Sequence, residues 1–130
     1  METLTKFLSQ AKAKFPVNFF THGHCHDLAV ALYEVLGGQL WIAFADGVYD
    51  HTVLEIGDTT WDIDGREAII RWNNMNCEFR VEYTDWRRVS VEKIRSQLPI
   101  DNELVEELKI DYQQMRSSCP KKTSKSGKKR

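Results

Sequence analysis

The stretch CHDLAVALYEVLGG, residues 25 to 38, restricts the fold more than any other part of the chain. Leu28, Ala29, Ala31, Leu32, Val35 and Leu36 fall at i, i+1, i+3, i+4, i+7 and i+8, which lays one apolar stripe along a helix. Gly37 and Gly38 end that helix, because glycine readily takes the backbone conformations of a C-terminal cap. Immediately afterwards the pattern changes to strands: QLWIAFA, then DHTVLEI, a turn at GDT, and TWDIDG. A striped helix followed by short, closely spaced strands predicts a central antiparallel sheet packed on that helix.

The flanking segments complete the layout. Residues 2 to 15 read as a first helix, with Leu4, Phe7, Leu8, Ala11 and Phe15 at helical spacing and Pro16 ending it; VNFFTHG is an extended link. EAIIRW fits a short helix or a strand equally well. CEFRVEY alternates, with Cys77, Phe79, Val81 and Tyr83 on one face, and reads as a strand. Ser90 is placed to cap a helix over VEKIRSQL, and Asp101 one over NELVEELKIDYQQM. Helices, then antiparallel strands, then helices again make an α+β domain over residues 1 to 116, with 117 to 130 as a basic, disordered tail.

Charge and cysteine content narrow the function classes. The chain has 18 Lys and Arg against 19 Asp and Glu. Six of the basic residues (121, 122, 125, 128, 129, 130) lie in the tail, leaving 12 basic against 19 acidic ahead of it, a balance of about −7. An acidic body disfavours nucleic acid as a partner except through the tail. No window approaches the roughly 18 to 20 apolar residues that span a bilayer, and the N-terminal segment lacks the features of a secretory signal. A cytoplasmic protein with no membrane partner is expected. Cys25, Cys77 and Cys119 are odd in number, far apart and free of any CxxC pair, so free thiols are expected rather than a disulfide framework.

Cys25 begins the striped helix, where unpaired N–H groups and the positive end of the helix dipole favour a thiolate. Gly23 permits a tight approach to the helix and leaves room for a substrate, and the Cys25 N–H is available to an oxyanion. A cysteine nucleophile needs a base, and His51 at the head of HTVLEI is the candidate. If HTVLEI and TWDID form a hairpin, strand parity puts His51, Val53 and Glu55 on one face with Asp62 and Asp64. Thr52, Leu54, Ile56, Trp61 and Ile63 then share the apolar face. Thiol, imidazole and carboxylate together are the components of a Cys-His-Asp triad, with either aspartate eligible to orient the histidine. Asn18 is a candidate second oxyanion donor.

In order and spacing these residues resemble the papain-like fold cysteine hydrolases in their compact forms, including the transglutaminase-like and peptidoglycan-peptidase branches. More closely, GHCHDLAVAL, HTVLEI and WDIDG resemble a group of small bacterial and phage proteins with a Gly-x-Cys, His-x-x-Val, aromatic-Asp-x-x-Gly pattern. Its positions are Gly23, Cys25, Ala29, Leu32, His51, Leu54, Trp61, Asp62 and Gly65 here, covering about residues 20 to 66. His24 stands where that pattern often has Asp or Asn. The resemblance implies a papain-like α+β fold and a cysteine hydrolase acting on an amide bond of a protein or peptide (peptidase, amidase or deamidase). It implies no cofactor or metal, and it favours Asp62 over Asp64.

Two other classes use the same features. One is a non-enzymatic binding protein, such as a phage-type inhibitor, acting through its acidic body or basic tail. The other is a metalloprotein with ligands among His22, His24, Cys25 and His26, with His51 and the pair Asp62 and Asp64 as possible additions, although no known zinc spacing is matched. Trp41, Trp61, Trp72 and Trp86 read as core or cleft lining, because they are not interleaved with basic residues. Arg87-Arg88 reads as a solvated pair.

Overall fold

The computed structural model describes residues 2–21, 23–45, 48–78 and 85–118. Its elements are α1 (Glu2–Lys14), α2 (Cys25–Leu36), β1 (Gln39–Ala45), β2 (Val48–Ile56), β3 (Thr59–Asp62), β4 (Gly65–Arg66), α3 (Ala68–Glu78), β5 (Asp85–Val89), α4 (Val91–Gln97) and α5 (Asn102–Ser118). The strands form one antiparallel sheet in the order β4-β3-β2-β1-β5. The architecture is α+β, and no described helix is long and apolar enough to cross a membrane.

The striped helix occupies the expected residues but is buried more completely than a stripe requires. Cys25 and every residue from Asp27 to Leu32 are buried, because α2 lies between the sheet on one side and α5 on the other. Alanines at 29 and 31 let these layers approach closely. Around it Leu4, Phe7 and Leu8 of α1, Leu40, Leu54 and Trp61 of the sheet, and Val105, Leu108 and Tyr112 of α5 form one apolar core. Phe7 meets Tyr112 edge-on at 5.3 Å.

The link from α2 to β1 is sterically tight. Gly38 has φ +98°, and a Cβ there would stand 2.4 Å from the Glu55 carbonyl oxygen of β2. Only glycine fits, so helix and sheet are joined at minimum distance. Both predicted caps form: Ser90 Oγ accepts from Lys93 N at 3.1 Å, and Asp101 Oδ1 accepts from Leu104 N at 3.2 Å.

Three expectations change. The expected extended link VNFFTHG is a run of turns over residues 17 to 21, with the Phe19 amide donating to the Pro16 carbonyl at 3.0 Å and the Thr21 amide to the Asn18 carbonyl at 3.2 Å. EAIIRW belongs to α3 from Ala68 onward, and residues 77 and 78 of the expected strand CEFRVEY are the end of that helix. Ala68, Ile69 and Trp72 continue a helical period that prevails over the local alternation; residues 79 to 83 lie outside the described set. The fifth strand is instead DWRRV, paired with β1. Its Arg87 lies over the Phe44 ring at 4.4 Å and Arg88 over Trp41 at 5.3 Å, so the basic pair packs on aromatic faces as well as meeting solvent. Helix α5 runs through Ser118, two residues past the expected domain end, and the basic residues of the tail lie outside the described residues.

Candidate active site

Sheet register explains how one histidine meets one aspartate. Leu54 opposes Trp61 and Glu55 opposes Thr60, with Gly57-Asp58 as the turn, which puts His51, Val53, Glu55 and Asp62 on a common face. Asp62 in turn opposes Gly65, so Ile63-Asp64 form the next turn and Asp64 leaves the sheet. His51 Nε2 is 2.9 Å from Asp62 Oδ2, with both side chains buried. Asp64 is exposed and pairs with Lys12 of α1; its contribution is a backbone N–H donated to Asp62 Oδ1 at 2.9 Å.

A register break sits beside the histidine. Ala43 pairs with His51 but Phe44 pairs with Tyr49, leaving Asp50 as an extra residue in β2. Bulges of this kind re-aim neighbouring side chains. The His51 ring stacks on Trp72 of α3 at 4.3 Å and 6°, and meets Trp86 of β5 edge-on at 6.5 Å.

Asp62 is held from a third direction. Arg71 of α3 donates from Nη2 to Asp62 Oδ1 and to the Gly65 carbonyl, and from Nε to the Arg66 carbonyl, each at 2.8 Å. One carboxylate oxygen thus takes Arg71 and the Asp64 amide while the other faces His51. Burial pushes the Asp62 carboxyl up, but His51 and Arg71 more than offset this and hold it below its ordinary range.

Cys25 is the first residue of α2 and 3% exposed. Its helix has His24 at the N-cap with no side-chain capping bond, so the first-turn N–H groups are not satisfied by that side chain. Burial pushes the thiol up, yet the His26 Nδ1 contact at 3.8 Å and the charge of His51 bring it down to about 6. For His51, burial favours the neutral ring, but Asp62 and Cys25 outweigh it and raise the pKa to about 9. With Nε2 on Asp62, the Nδ1 of His51 is buried and has no hydrogen-bond partner among the described residues.

The other histidines take separate positions. His24 stacks on Phe19 at 4.1 Å, and its Nδ1 lies 2.7 Å from Oδ2 of the buried Asp27. Asp27 Oδ1 accepts from the Asp101 amide at 2.9 Å, tying the start of α2 to the segment that opens α5. His26 Nδ1 lies 2.5 Å from Thr52 Oγ1 and 3.8 Å from Cys25 Sγ. His22 is outside the described residues, and among the described residues no group of three or more His, Cys, Asp or Glu is placed to hold a metal ion. Of the histidines considered as ligands from sequence, His24 faces Asp27, His26 faces Thr52 and His51 faces Asp62.

Gly23 has φ +124° and open space where a Cβ would point. Asn18 is exposed in a left-handed turn, φ 67°, its carbonyl accepting from the Thr21 amide at 3.2 Å; its side chain makes no described bond to Cys25. Trp61 is core, while Trp72 and Trp86 contact His51. Sequence reading missed Arg71 and the stacking of Trp72, both carried by the segment it left ambiguous. It also missed Asp27, whose signal was an acid in the first turn of an otherwise apolar helix. Comparison with known proteins finds no matching family model, no similar curated protein and no similar solved structure.

Proposed function

We propose that the protein is a papain-like cysteine hydrolase that cleaves an amide bond in a protein or peptide through Cys25, His51 and Asp62. The observation that carries this reading is the state of His51: Nε2 is bonded to a buried aspartate, Nδ1 is buried with no hydrogen-bond partner among the described residues, and the helix-terminal thiol and the ring each favour the charged form of the other. A structural histidine buried this deeply would ordinarily satisfy both nitrogens.

The chemistry follows from the arrangement. The thiol proton resides on His51 Nδ1, and the imidazolium is stabilised by Asp62. The thiolate attacks the carbonyl carbon, and the oxyanion forms beside the N-terminus of α2, where the Cys25 N–H donates. Collapse of the tetrahedral intermediate expels the amine, which takes the His51 Nδ1 proton, and leaves a thioester on Cys25. His51 then accepts a proton from water as the water attacks the thioester, and returns it to the sulfur as the carboxylic acid leaves. The open space at Gly23 is the approach for the substrate.

The test is intact-mass analysis after incubation with an electrophilic peptidyl probe near neutral pH. The expected result is one adduct, absent in Cys25→Ala and slowed at least tenfold in His51→Ala. Equal labelling of Cys25→Ala sinks the nucleophile assignment.

A further inference from the structure

We propose that His26 is a second functional imidazole of this site, donating a hydrogen bond from Nδ1 to the Cys25 thiolate while His51 carries the transferred proton. This rests on the reading of Cys25 as the nucleophile. A triad needs one histidine, yet two act on this sulfur from different elements: His26 of the helix itself, with Nδ1 3.8 Å away, and His51 of β2 through its charge.

Thr52 fixes which nitrogen of His26 faces the sulfur. Its side chain is buried on β2, and its hydroxyl meets Nδ1 at 2.5 Å. That contact holds the ring with Nδ1 directed at both Thr52 Oγ1 and, 3.8 Å away, Cys25 Sγ. With the proton on Nδ1, the ring donates to the hydroxyl oxygen while the sulfur is neutral. Once the sulfur is an anion it is the stronger acceptor, and charge-assisted bonds are roughly twice as strong as neutral ones. No net proton transfer to His26 is involved: the thiol proton goes to His51 Nδ1, and His26 keeps its own.

Two imidazoles with different surroundings take different roles. His51 is bonded to Asp62, itself held by Arg71, an arrangement that stabilises a positive ring. His26 is bonded to an uncharged hydroxyl, an arrangement that fixes the orientation of the ring. The titratable groups acting on Cys25 are His26 on its own helix and His51 from β2, with Asp62 of β3 and Arg71 of α3 behind His51.

The experiment is the pH dependence of Cys25 alkylation by iodoacetamide in the full chain, with the other two cysteines changed to serine and folding checked by circular dichroism. His26→Phe keeps a ring and removes the donor; His26→Asn keeps a donor near the Nδ1 position. Phenylalanine is expected to raise the alkylation midpoint by about one pH unit, and asparagine to bring it back toward wild type. If the phenylalanine variant does not fold, His26→Ala takes its place with the same expectation. An unchanged midpoint without the donor overturns the proposal, as does an asparagine variant that shifts as far as phenylalanine. Failure of the hydrolase reading is distinguishable, because it would show as no peptidyl-probe adduct in a wild-type protein whose alkylation midpoint still depends on His26.

Discussion

At the scale of single residues, His51 is asymmetric: one ring nitrogen is bonded to Asp62, the other is buried with no partner among the described residues. Removing the carboxylate charge tests that asymmetry. Asp62→Asn takes away the main influence that raises the His51 pKa, so the ring loses its proton at lower pH and the neighbouring thiolate loses its counter-charge. On the proposed hydrolase reading, turnover of a peptide amide should fall by about 10³-fold or more, as expected when a residue fixing the tautomer of a catalytic histidine is lost. Asp64→Asn provides the contrast. Its exposed carboxylate pairs with Lys12, and only its backbone touches Asp62, so activity should stay within about twofold of wild type. Equal losses in the two variants would place the orienting carboxylate elsewhere. Residue pairing of this kind was readable beforehand because strand parity alone groups His51 with Asp62. Parity leaves Asp62 and Asp64 equal and only the resemblance favours Asp62; the physical difference between them is the register of β3 against β4, which a two-residue turn sets and the alternation does not reveal.

At the scale of elements, α2 and the β1-β2-β3 meander were legible because each change of hydrophobic period is marked by glycine. The α2-β1 joint is also where a single methyl group should do most harm. Gly38→Ala imposes a φ that L side chains rarely adopt, and sets a Cβ against the Glu55 carbonyl of β2. Backbone strain alone costs on the order of 1–3 kcal/mol, and displacement of β2 adds to it. Urea denaturation should show a loss of at least about 2 kcal/mol, and a midpoint equal to wild type would contradict the joint as described. β5 escaped notice for a physical reason: DWRRV is an edge strand in which Arg87 and Arg88 cover Phe44 and Trp41 with their guanidinium planes, so nothing alternates in hydropathy. The helix α3 was ambiguous for a related reason. Its short apolar run AII suits helix or strand, and its Arg71 and Trp72 gain their meaning from the sheet they lie against.

At the scale of the whole molecule, the site depends on α2 being held from both ends of the chain. Asp27 joins His24 at the head of α2 to the Asp101 amide at the head of α5, a separation of 74 residues in sequence. Asp27→Ala leaves that amide and the ring nitrogen without their partner, which costs about 1–3 kcal/mol. The expected signature is lower stability in urea together with slower Cys25 alkylation at a fixed pH, since the start of α2 is then less firmly placed. Unchanged stability and unchanged alkylation would show that the tie is dispensable. Long-range ties of this sort leave little trace in a single sequence, because an acid in the first turn of a helix is already favourable on local grounds.

On the proposed reading Cys25 and His51 exist as a thiolate and an imidazolium across neutral pH, and the pH profile of Cys25 alkylation in the wild-type chain tests this. With the thiol lowered to about 6 and His51 raised to about 9, the ion pair forms as pH rises through about 6 and is lost as His51 deprotonates near 9. The alkylation rate should therefore reach half its plateau near pH 6, and Asp62→Asn should move that midpoint upward. A wild-type midpoint near the ordinary thiol value of about 8.5, unmoved by Asp62→Asn, would contradict the account.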